Sequence, residues 1–315
     1  MNDGGEIMSG PGFDVIVCGS LHLDIMVHAP HLPRIDETAV GHSWRLACGG
    51  KGGNQAIQAA GFGARTAMIG RTGMDDFGRR LCARLDAAGV DRTGVLADTA
   101  AASGMSVAIV DARGDYGAVI VSGCNLAIAP NDVADAWHAL GGCRVLVLQN
   151  EIPQAANVAA ARMAKQAGAM VVFNAAPTRV CGEDLLGLVD VLVVNRVEAA
   201  MMSGVDVTDR RGALAALPRL GALRGSVVVT LGGDGLVLAA FGQAPVEIEA
   251  LPAAVVSTHG AGDCFMGALA ARLAAGADLL AACRIANARA SAFVGGEPGA
   301  GAAKIYREAE GQPSC

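Results

Sequence analysis

The chain has 315 residues, of which 52% are hydrophobic and 43 are glycine. Disordered chains are poor in apolar residues, so this composition excludes a disordered protein and predicts a tightly packed globular α/β fold with a substantial core. The formal charge of −6 gives no electrostatic basis for binding nucleic acid or an anionic membrane, and a small-molecule enzyme fits better than either class.

The first twelve residues are predicted to form a loose tail ahead of a single domain at residues 13–315. They are small and polar, and they include Asp3 and Glu6. A signal peptide would instead begin with basic residues and continue into an apolar stretch. We therefore treat residues 1–12 as a flexible terminus rather than as part of the fold.

Short apolar runs bounded by Gly or polar residues recur along the chain. Five of them have the character of strands buried on both faces of a parallel sheet: residues 15–17, 145–148, 171–173, 191–194 and 227–229. Helix-like segments rich in Ala, Leu and Arg separate them. This alternation predicts an α/β fold with a doubly wound, mostly parallel sheet flanked by helices, whose ligands gather at the carboxyl ends of the strands. Polar residues directly follow four of these strands: residues 149–151, Asn174, Asn195 and Thr230.

Two regions break this alternation of strand and helix. Residues 26–47 and 105–121 are extended and partly polar, and residues 111–115 are typical of a hairpin turn. These regions are predicted to be inserted β-strands at the surface. A peripheral hairpin with no role in ligand binding is the alternative interpretation.

The segment STHGAGDCF at residues 257–265 carries the strongest chemical signal. Small residues at a helix start allow backbone N–H groups to approach an anion, and the helix dipole favours negative charge there. Asp263 lies beside this predicted phosphate site and could take a proton from a hydroxyl that attacks a phosphoryl group. The alternative is an Asp that only caps a helix after a Gly turn.

Nine Cys are scattered without a CxxC pair or another paired metal spacing, and their odd number leaves at least one thiol free. A reducing cytoplasm is the expected location. The Ala/Leu-rich stretch from Cys264 to Cys283 is interrupted by Arg272 and Asp278, so it predicts a buried helix and its successor rather than a membrane span.

Four segments in this order resemble the ribokinase-like (PfkB) family of carbohydrate kinases. They are GGKGGNQA at residues 49–56, NRVE at residues 195–198, TLGGDG at residues 230–235 and the GAGD of residues 260–263. The resemblance begins at residues 19–24 and extends to Asn287. It implies an ATP-dependent and Mg²⁺-dependent kinase, a lid formed by the inserted strands over the sugar, and a homodimer formed through that lid.

The resemblance also assigns the phosphoryl-transfer and nucleotide residues. Asp263 corresponds to the catalytic base, and the amides of Gly260, Ala261 and Gly262 would stabilise the charge of the transferring group. Glu198 would order Mg²⁺ through water, which suits an ion that keeps most of its hydration shell. The nucleotide contacts are expected from Asn195, Thr230, Gly232 and Asn287. Without the resemblance, Glu198 would be only a favourable charge at a helix start, and Gly232 only a residue of a tight turn.

On the acceptor side, the family binds sugar hydroxyls with an acidic residue after the first strand, with the GGKGxN loop and with a later Glu. The matching residues are Asp24, Gly50, Lys51, Asn54 and Glu151. Carboxylates accept hydrogen bonds whereas Lys and Asn donate them, and a polyhydroxy ligand needs both. An ordinary solvated side chain is the alternative for Lys51.

Three departures from the ribokinase pattern concern specificity and ions. His22 stands where ribokinases have Asn, so the set of hydroxyls that the site accepts could differ; a purely structural His is the alternative. Ser257 replaces an Asp that helps to bind the activating monovalent cation. Residues 295–300 also lack the residues that line that ion site in ribokinases. These departures argue against K⁺ activation.

The favoured function is therefore phosphorylation of a hydroxyl, expected to be primary, on ribose or a related pentose. A nucleoside kinase of adenosine or pseudouridine type is the main alternative, with Trp44 and Tyr116 as candidates for base stacking although only 3% of the chain is aromatic. A sugar-phosphate kinase would need more cations near the acceptor than Arg45, Lys51 and Arg113. A non-catalytic sugar-binding protein would lack the base or the anion site.

Two further motifs are absent from the sequence. There is no GxxxxGK[ST], so the chain has no Walker-type phosphate loop. No GxGxxG follows the first strand, which argues against a nicotinamide-dependent oxidoreductase.

Overall fold

A computed structural model describes residues 11–220 and 225–296. Its main sheet has nine strands. From one edge to the other they are β13 (Val246–Ile248), β12 (Leu236–Ala239), β11 (Ser226–Thr230), β10 (Val191–Asn195), β9 (Met170–Asn174), β8 (Cys143–Gln149), β1 (Phe13–Cys18), β4 (Thr66–Gly73) and β5 (Asp91–Asp98). The strands from β11 to β5 in this order run parallel, and β12 and β13 are antiparallel to their neighbours.

Helices cover both faces of this sheet. In chain order they are α1 (Lys51–Gly61), α2 (Asp76–Ala87), α3 (Pro130–Leu140), α4 (Gln154–Gln166), α5 (Glu183–Leu186), α6 (Arg196–Ser203), α7 (Arg210–Leu220), α8 (Ala261–Ala274) and α9 (Leu279–Val294). Helices α3 to α7 pack on one face, where Ile16 points, and α1, α2, α8 and α9 pack on the other, where Val15 and Val17 point.

Continuous apolar strands are explained by this two-sided burial. Val15, Ile16 and Val17 have no exposed surface, because alternate side chains enter the two helix layers. The five strands predicted from the sequence lie within β1, β8, β9, β10 and β11. The predicted doubly wound, mostly parallel architecture is therefore confirmed.

The two inserted regions form a separate four-stranded sheet, which we call the lid sheet. Its order is β3 (Ser43–Gly49), β2 (His22–His28), β6 (Gly104–Val110) and β7 (Tyr116–Val121). Strands β2 and β6 are parallel and the other two pairs are antiparallel. The predicted turn at residues 111–115 is present, and the Asp111 carboxylate closes it by accepting from the N–H groups of Arg113 and Asp115 at 2.8 and 2.9 Å.

Asn125 joins the two ends of the lid sheet. Its side chain accepts from the Leu21 N–H at 2.9 Å and donates to the carbonyls of Leu21 and Ser122 at 2.8 and 2.9 Å. Leu21 lies between β1 and β2, and Ser122 follows β7. One buried amide thus fixes the start of the lid sheet relative to its end.

The Ala/Leu-rich stretch after residue 263 forms α8 and α9, as predicted. None of the helices within residues 11–220 and 225–296 combines the length and apolar character needed to cross a bilayer. The eight cysteines in the same part of the chain are all free thiols.

Candidate active site

The candidate site lies where parallel strands of the main sheet end. Gln149, Asn174, Asn195 and Thr230 are the last residues of β8, β9, β10 and β11. Gln149 pairs in register with Asn174, and Asn195 pairs with Thr230, so these polar ends lie along one edge. This is the edge at which α/β sheets bind their ligands.

Asp263 lies in the first turn of α8 and is only 8% exposed. Two amides from α1 bind its carboxylate: Asn54 Nδ2 donates to Oδ2, and Gln55 Nε2 donates to Oδ1, both at 3.0 Å. Burial raises the pKa of Asp263, while the Lys51 charge and these two hydrogen bonds act in the opposite direction. The result is a buried carboxylate whose two oxygens are each held by an oriented amide donor.

Close packing of α1 against α8 brings these side chains together. A Cβ atom at Gly267 would lie 2.4 Å from Gln58 Cβ and 2.7 Å from the Ala59 nitrogen. Glycine is therefore required at position 267, because any larger residue would push the two helices apart. The separation of α1 and α8 sets the distance between Asp263 and its amide donors.

The start of α8 has the open backbone that the anion site requires. Gly260 adopts a left-handed conformation with φ of 84°, and its carbonyl accepts from the Cys264 N–H at 2.9 Å. A Cβ atom at Gly262 would meet no atom within 4 Å. The Ala261 N–H lies 3.3 Å from the Thr258 carbonyl, a long contact that leaves this donor weakly engaged.

The glycine-rich loop of residues 49–53, whose end forms the first turn of α1, packs directly on the backbone between β1 and β2. Gly50 has φ of 83°, and a Cβ atom there would lie 2.8 Å from the His22 nitrogen. A Cβ atom at Gly52 would lie 2.6 Å from the Ser20 nitrogen, and the Gly53 N–H donates to the Ser20 carbonyl at 2.9 Å. Glycine at these positions allows the loop to approach the predicted sugar-binding residues.

Glu151 connects the predicted residues Lys51 and His22 with Ser20. It accepts from the Ser20 hydroxyl and from the Lys51 N–H, the latter at 2.8 Å. His22 Nδ1 lies 3.8 Å from the same carboxylate oxygen. The carboxylate thus holds the start of α1 against the segment that precedes β2.

His22 and Asp24 lie two residues apart on β2 and so share one face of the lid sheet. Asp24 accepts from the Ser106 hydroxyl on β6 at 2.5 Å. His22 is 5% exposed, and its Nε2 has no hydrogen-bond partner among the described residues. A buried ring nitrogen without a partner is costly unless a ligand group supplies the missing bond.

Glu198 forms a reciprocal capping box with Asn195 at the start of α6. Its carboxylate accepts from the Asn195 N–H at 2.8 Å and from Asn195 Nδ2 at 2.9 Å, while the Glu198 N–H donates to Asn195 Oδ1 at 3.0 Å. Burial raises the pKa of Glu198, and the Lys51 charge lowers it. Each oxygen keeps a free lone pair, so the carboxylate can still accept from water bound to a cation.

The predicted nucleotide residues make separate contacts. Thr230 Oγ1 donates to the Val194 carbonyl at 3.3 Å, and Asn287 Nδ2 donates to the Glu249 carbonyl at 2.7 Å. Gly232 has φ of 59° and open space around it. Among the described residues, no hydrogen bond links these three to the Asp263 cluster. Arg196, which the sequence analysis did not select, holds this region by donating to the Leu231 carbonyl at 2.5 Å.

Four further polar residues in the site were not selected from the sequence: Ser20, Gln55, Ser106 and Asn174. Gln55 directly follows Asn54 in the glycine-rich motif, and Asn174 ends a predicted strand, so both had a usable signal. Ser106 had none, because it contacts Asp24 only when β2 and β6 pair.

The structure describes part of the region around Ser257 in which the sequence departs from the ribokinase pattern. The N–H groups of Val256 and Ser257 both point to the Val294 carbonyl, at 2.9 and 3.4 Å, and Ser257 Oγ accepts from the His259 N–H at 3.2 Å. Gly295 and Gly296 follow α9, and residues 297–300 lie outside the described part. Within residues 11–220 and 225–296, no cluster of three or more His, Cys, Asp or Glu could hold a metal by itself.

Comparison with known proteins gives concordant matches along the chain. Residues 14–304 match the sequence family described as pfkB family carbohydrate kinase. Ribokinase from Mus musculus is 34% identical over 263 residues, covering 82% of this chain and 81% of the relative. Ribokinase from Bacillus subtilis is 32% identical, covering 89% and 92%. Arabidopsis thaliana ribokinase, solved with ribose and ATP, superposes with a TM-score of 0.82 at 30% identity, covering 89% and 92%.

Proposed function

Because this chain belongs to the pfkB family of carbohydrate kinases and is an ATP-dependent sugar kinase of the ribokinase type, we propose that it phosphorylates the primary hydroxyl of ribose or a related pentose. The observation that carries the proposal is the buried Asp263 carboxylate, oriented by two amides at a glycine-rich helix start. Base and anion site are adjacent in the chain, so both can act on one phosphoryl group.

In the proposed reaction, an Asp263 oxygen takes the proton of the acceptor hydroxyl. The acceptor oxygen bonds to the γ-phosphorus of ATP as the bond from that phosphorus to the β,γ-bridging oxygen breaks, which releases ADP. Backbone N–H groups of residues 260–262 stabilise the charge on the three equatorial oxygens. Asp263 must be ionised at the start of this sequence, so activity is expected to fall as pH drops through its raised pKa.

The acceptor side supports a small polyhydroxy ligand. Asp24 and Glu151 accept hydrogen bonds, Lys51 and Asn54 donate them, and Gly50 permits close approach. Each buried hydroxyl left unpaired costs about 1–3 kcal/mol, so such a set of groups discriminates between sugars by their hydroxyl geometry.

Magnesium is proposed to bind with the ATP phosphates, with Glu198 holding its water ligands. When bound, it supplies charge neutralisation at the phosphates. The residues present fit Mg²⁺ because the buried Glu198 carboxylate, at a helix start and next to the Lys51 charge, can accept further hydrogen bonds.

We also propose that K⁺ is not required, because Ser257 provides no carboxylate.

A nucleoside kinase is the second candidate. Trp44 lies exposed on β3 of the lid sheet, where an aromatic ring is available for stacking on a base. The eight cysteines within residues 11–220 and 225–296 are free thiols, which suits the reducing cytoplasm in which we propose either enzyme would work.

The proposal is tested by measuring ADP release with a panel of ribose, 2-deoxyribose, other pentoses, hexoses and nucleosides, each with and without K⁺. We expect the highest kcat/KM with ribose or a related pentose and no dependence on K⁺. Turnover confined to nucleosides would contradict the sugar assignment, and strong K⁺ dependence would contradict the inference from Ser257.

His22 is proposed to determine which pentose is accepted, since its buried Nε2 has no partner within the described part of the chain. Replacing it by Asn changes both the size of the side chain and its donor positions. The His22→Asn variant is expected to change the ratio of kcat/KM values between two pentoses by about tenfold or more, the effect of one mispaired buried hydroxyl. The KM for ATP should stay within about twofold, because His22 lies on the acceptor side. An unchanged ratio would assign His22 a structural role.

A further inference from the structure

Gln55 occupies a position that a packing role alone does not explain. Its side chain has no exposed surface, and its Nε2 donates to Asp263 Oδ1 at 3.0 Å and to Asn174 Oδ1 at 3.2 Å. Both hydrogens of the amide nitrogen are therefore used. Asp263 is 208 residues away in the chain and Asn174 is 119 away, so this one side chain connects α1, α8 and the end of β9.

The orientation of the Gln55 amide is determined by its surroundings. Asn174 Nδ2 donates to the Val193 carbonyl at 3.3 Å, which leaves Asn174 Oδ1 as the acceptor facing Gln55. A carboxylate can only accept when ionised. Both neighbours of the Gln55 amide are thus acceptors, so its NH₂ group and not its carbonyl oxygen must point toward them.

We propose that Gln55 is a positioning residue that fixes the Asp263 carboxylate in its reactive orientation, with Asn174 holding the Gln55 amide in place. This inference rests on the proposed role of Asp263 as the base. Asn54 binds the other carboxylate oxygen, Oδ2, at 3.0 Å, but Asn54 is also assigned to the sugar. Gln55 is fully buried and linked to the sheet, so it holds Oδ1 whether or not a sugar is bound.

The hydrogen bond from Gln55 matters chemically because the charged groups around Asp263 act on its ionisation in opposite directions. Burial opposes ionisation of Asp263, the Glu151 charge opposes it further, and Lys51 favours it. The hydrogen bond from Gln55 stabilises the charged form and therefore favours the state that accepts a proton. Removing that bond should misorient the base and also raise the pH at which it becomes active.

The test is the pH profile of kcat/KM for Gln55→Met, an unbranched replacement of similar length without hydrogen-bonding groups. We expect the acidic midpoint to rise by about one pH unit, as follows from the loss of one hydrogen bond to a charged group. We also expect kcat on the plateau to fall about tenfold or more through misorientation, while the KM for ATP stays within about twofold. Gln55→Glu keeps the shape but adds a second carboxylate, so its midpoint should rise further.

Gln58→Met is the matched control, because it makes the same chemical change one turn later on α1 and should leave the midpoint at the wild-type value. A wild-type midpoint in Gln55→Met would overturn the inference, whether or not kcat falls, because packing alone would then explain Gln55. Should Gln55→Met fail to fold, Gln55→Glu decides the question by the same midpoint. Asp263→Asn, measured in parallel, separates the two claims: if it abolishes turnover while Gln55→Met keeps the wild-type midpoint, only the role of Gln55 is wrong.

Discussion

Gly262 is a residue at which the proposed phosphate site can be tested without disturbing the fold. A Cβ atom there meets nothing within 4 Å, and the residue lies in the first turn of α8. Gly262→Ala should keep or raise stability, by up to about 1 kcal/mol from helix propensity. It should lower kcat/KM for ATP about tenfold or more, which corresponds to about 1.4 kcal/mol of lost transition-state stabilisation. Thermal unfolding and steady-state kinetics measure the two effects.

Gly267→Ala is the contrasting control on the same helix. Its Cβ atom would lie 2.4 Å from Gln58 Cβ, so this variant should lose stability. A Gly262→Ala enzyme with unchanged kinetics for ATP would show that the start of α8 does not border the phosphates.

At the scale of residues, the sequence predicted the candidate site residues that lie close together in one short segment. The run of residues 260–263 and the loop at residues 49–56 each place several site residues within one short segment. Gln55 lies in the glycine-rich motif, but its contacts with Asp263 and Asn174 could not be predicted, because only tertiary packing brings these residues together. The unpartnered state of His22 Nε2 likewise depends on how β2 packs and could not be predicted from residue type.

At the scale of elements, Asn125 is the contact that joins the two ends of the lid sheet, at Leu21 before β2 and at Ser122 after β7. Asn125→Ala removes three hydrogen bonds, two of them buried, including those to the Leu21 N–H and carbonyl. We expect the free energy of unfolding to fall by about 2–4 kcal/mol, the sum of a few such losses. Urea unfolding measures the loss, and hydrogen exchange of β2 and β6 should be faster than in wild type.

Asn131→Ala is the control for this prediction, since Asn131 is exposed in the first turn of α3. Equal stabilities of the Asn125 and Asn131 variants would contradict this structural role of Asn125.

The element boundaries of the lid sheet were less predictable than those of the main sheet. Strand β2 begins at His22, ahead of the region at residues 26–47, because its first residues pair with both β3 and β6.

At the scale of the whole molecule, the edge of the lid sheet predicts a homodimer. Strand β7 is an edge strand of this sheet, and its Val119, Ile120 and Val121 are 68%, 62% and 53% exposed. An edge strand with exposed apolar side chains is suited to pair with another chain. We expect a dimer in light scattering at micromolar concentration, and a monomer for Val119→Lys, which adds a charge to this edge.

Val180→Lys is the matched control, because Val180 is 89% exposed but lies outside the lid sheet. It should remain dimeric. A wild-type monomer, or a Val119→Lys variant that still dimerises, would contradict assembly through the lid sheet.

The global architecture was predictable because its central strands are buried on both faces and so have continuous apolar sequences. Strand β5 was not recognised, since it lies at the edge of the main sheet and its sequence DRTGVLAD has only one short apolar run and no regular alternation of polar and apolar residues. Strand β4 was missed as well, because Gly70 and Arg71 interrupt its apolar run. Burial on two faces leaves a continuous apolar run in the sequence, and in both β4 and β5 the apolar run covers less than half of the strand.

The central claim is that Asp263 removes the proton from the acceptor hydroxyl, and Asp263→Asn tests it most directly. Turnover and the dissociation constants for ribose and an ATP analogue should be measured on the same preparation, with the exposed Asp206→Asn as control. Loss of a positioned base should lower kcat by a factor of about 10² to 10⁴, with both dissociation constants within a few-fold of wild type. Turnover close to the wild-type rate in Asp263→Asn would contradict the claim.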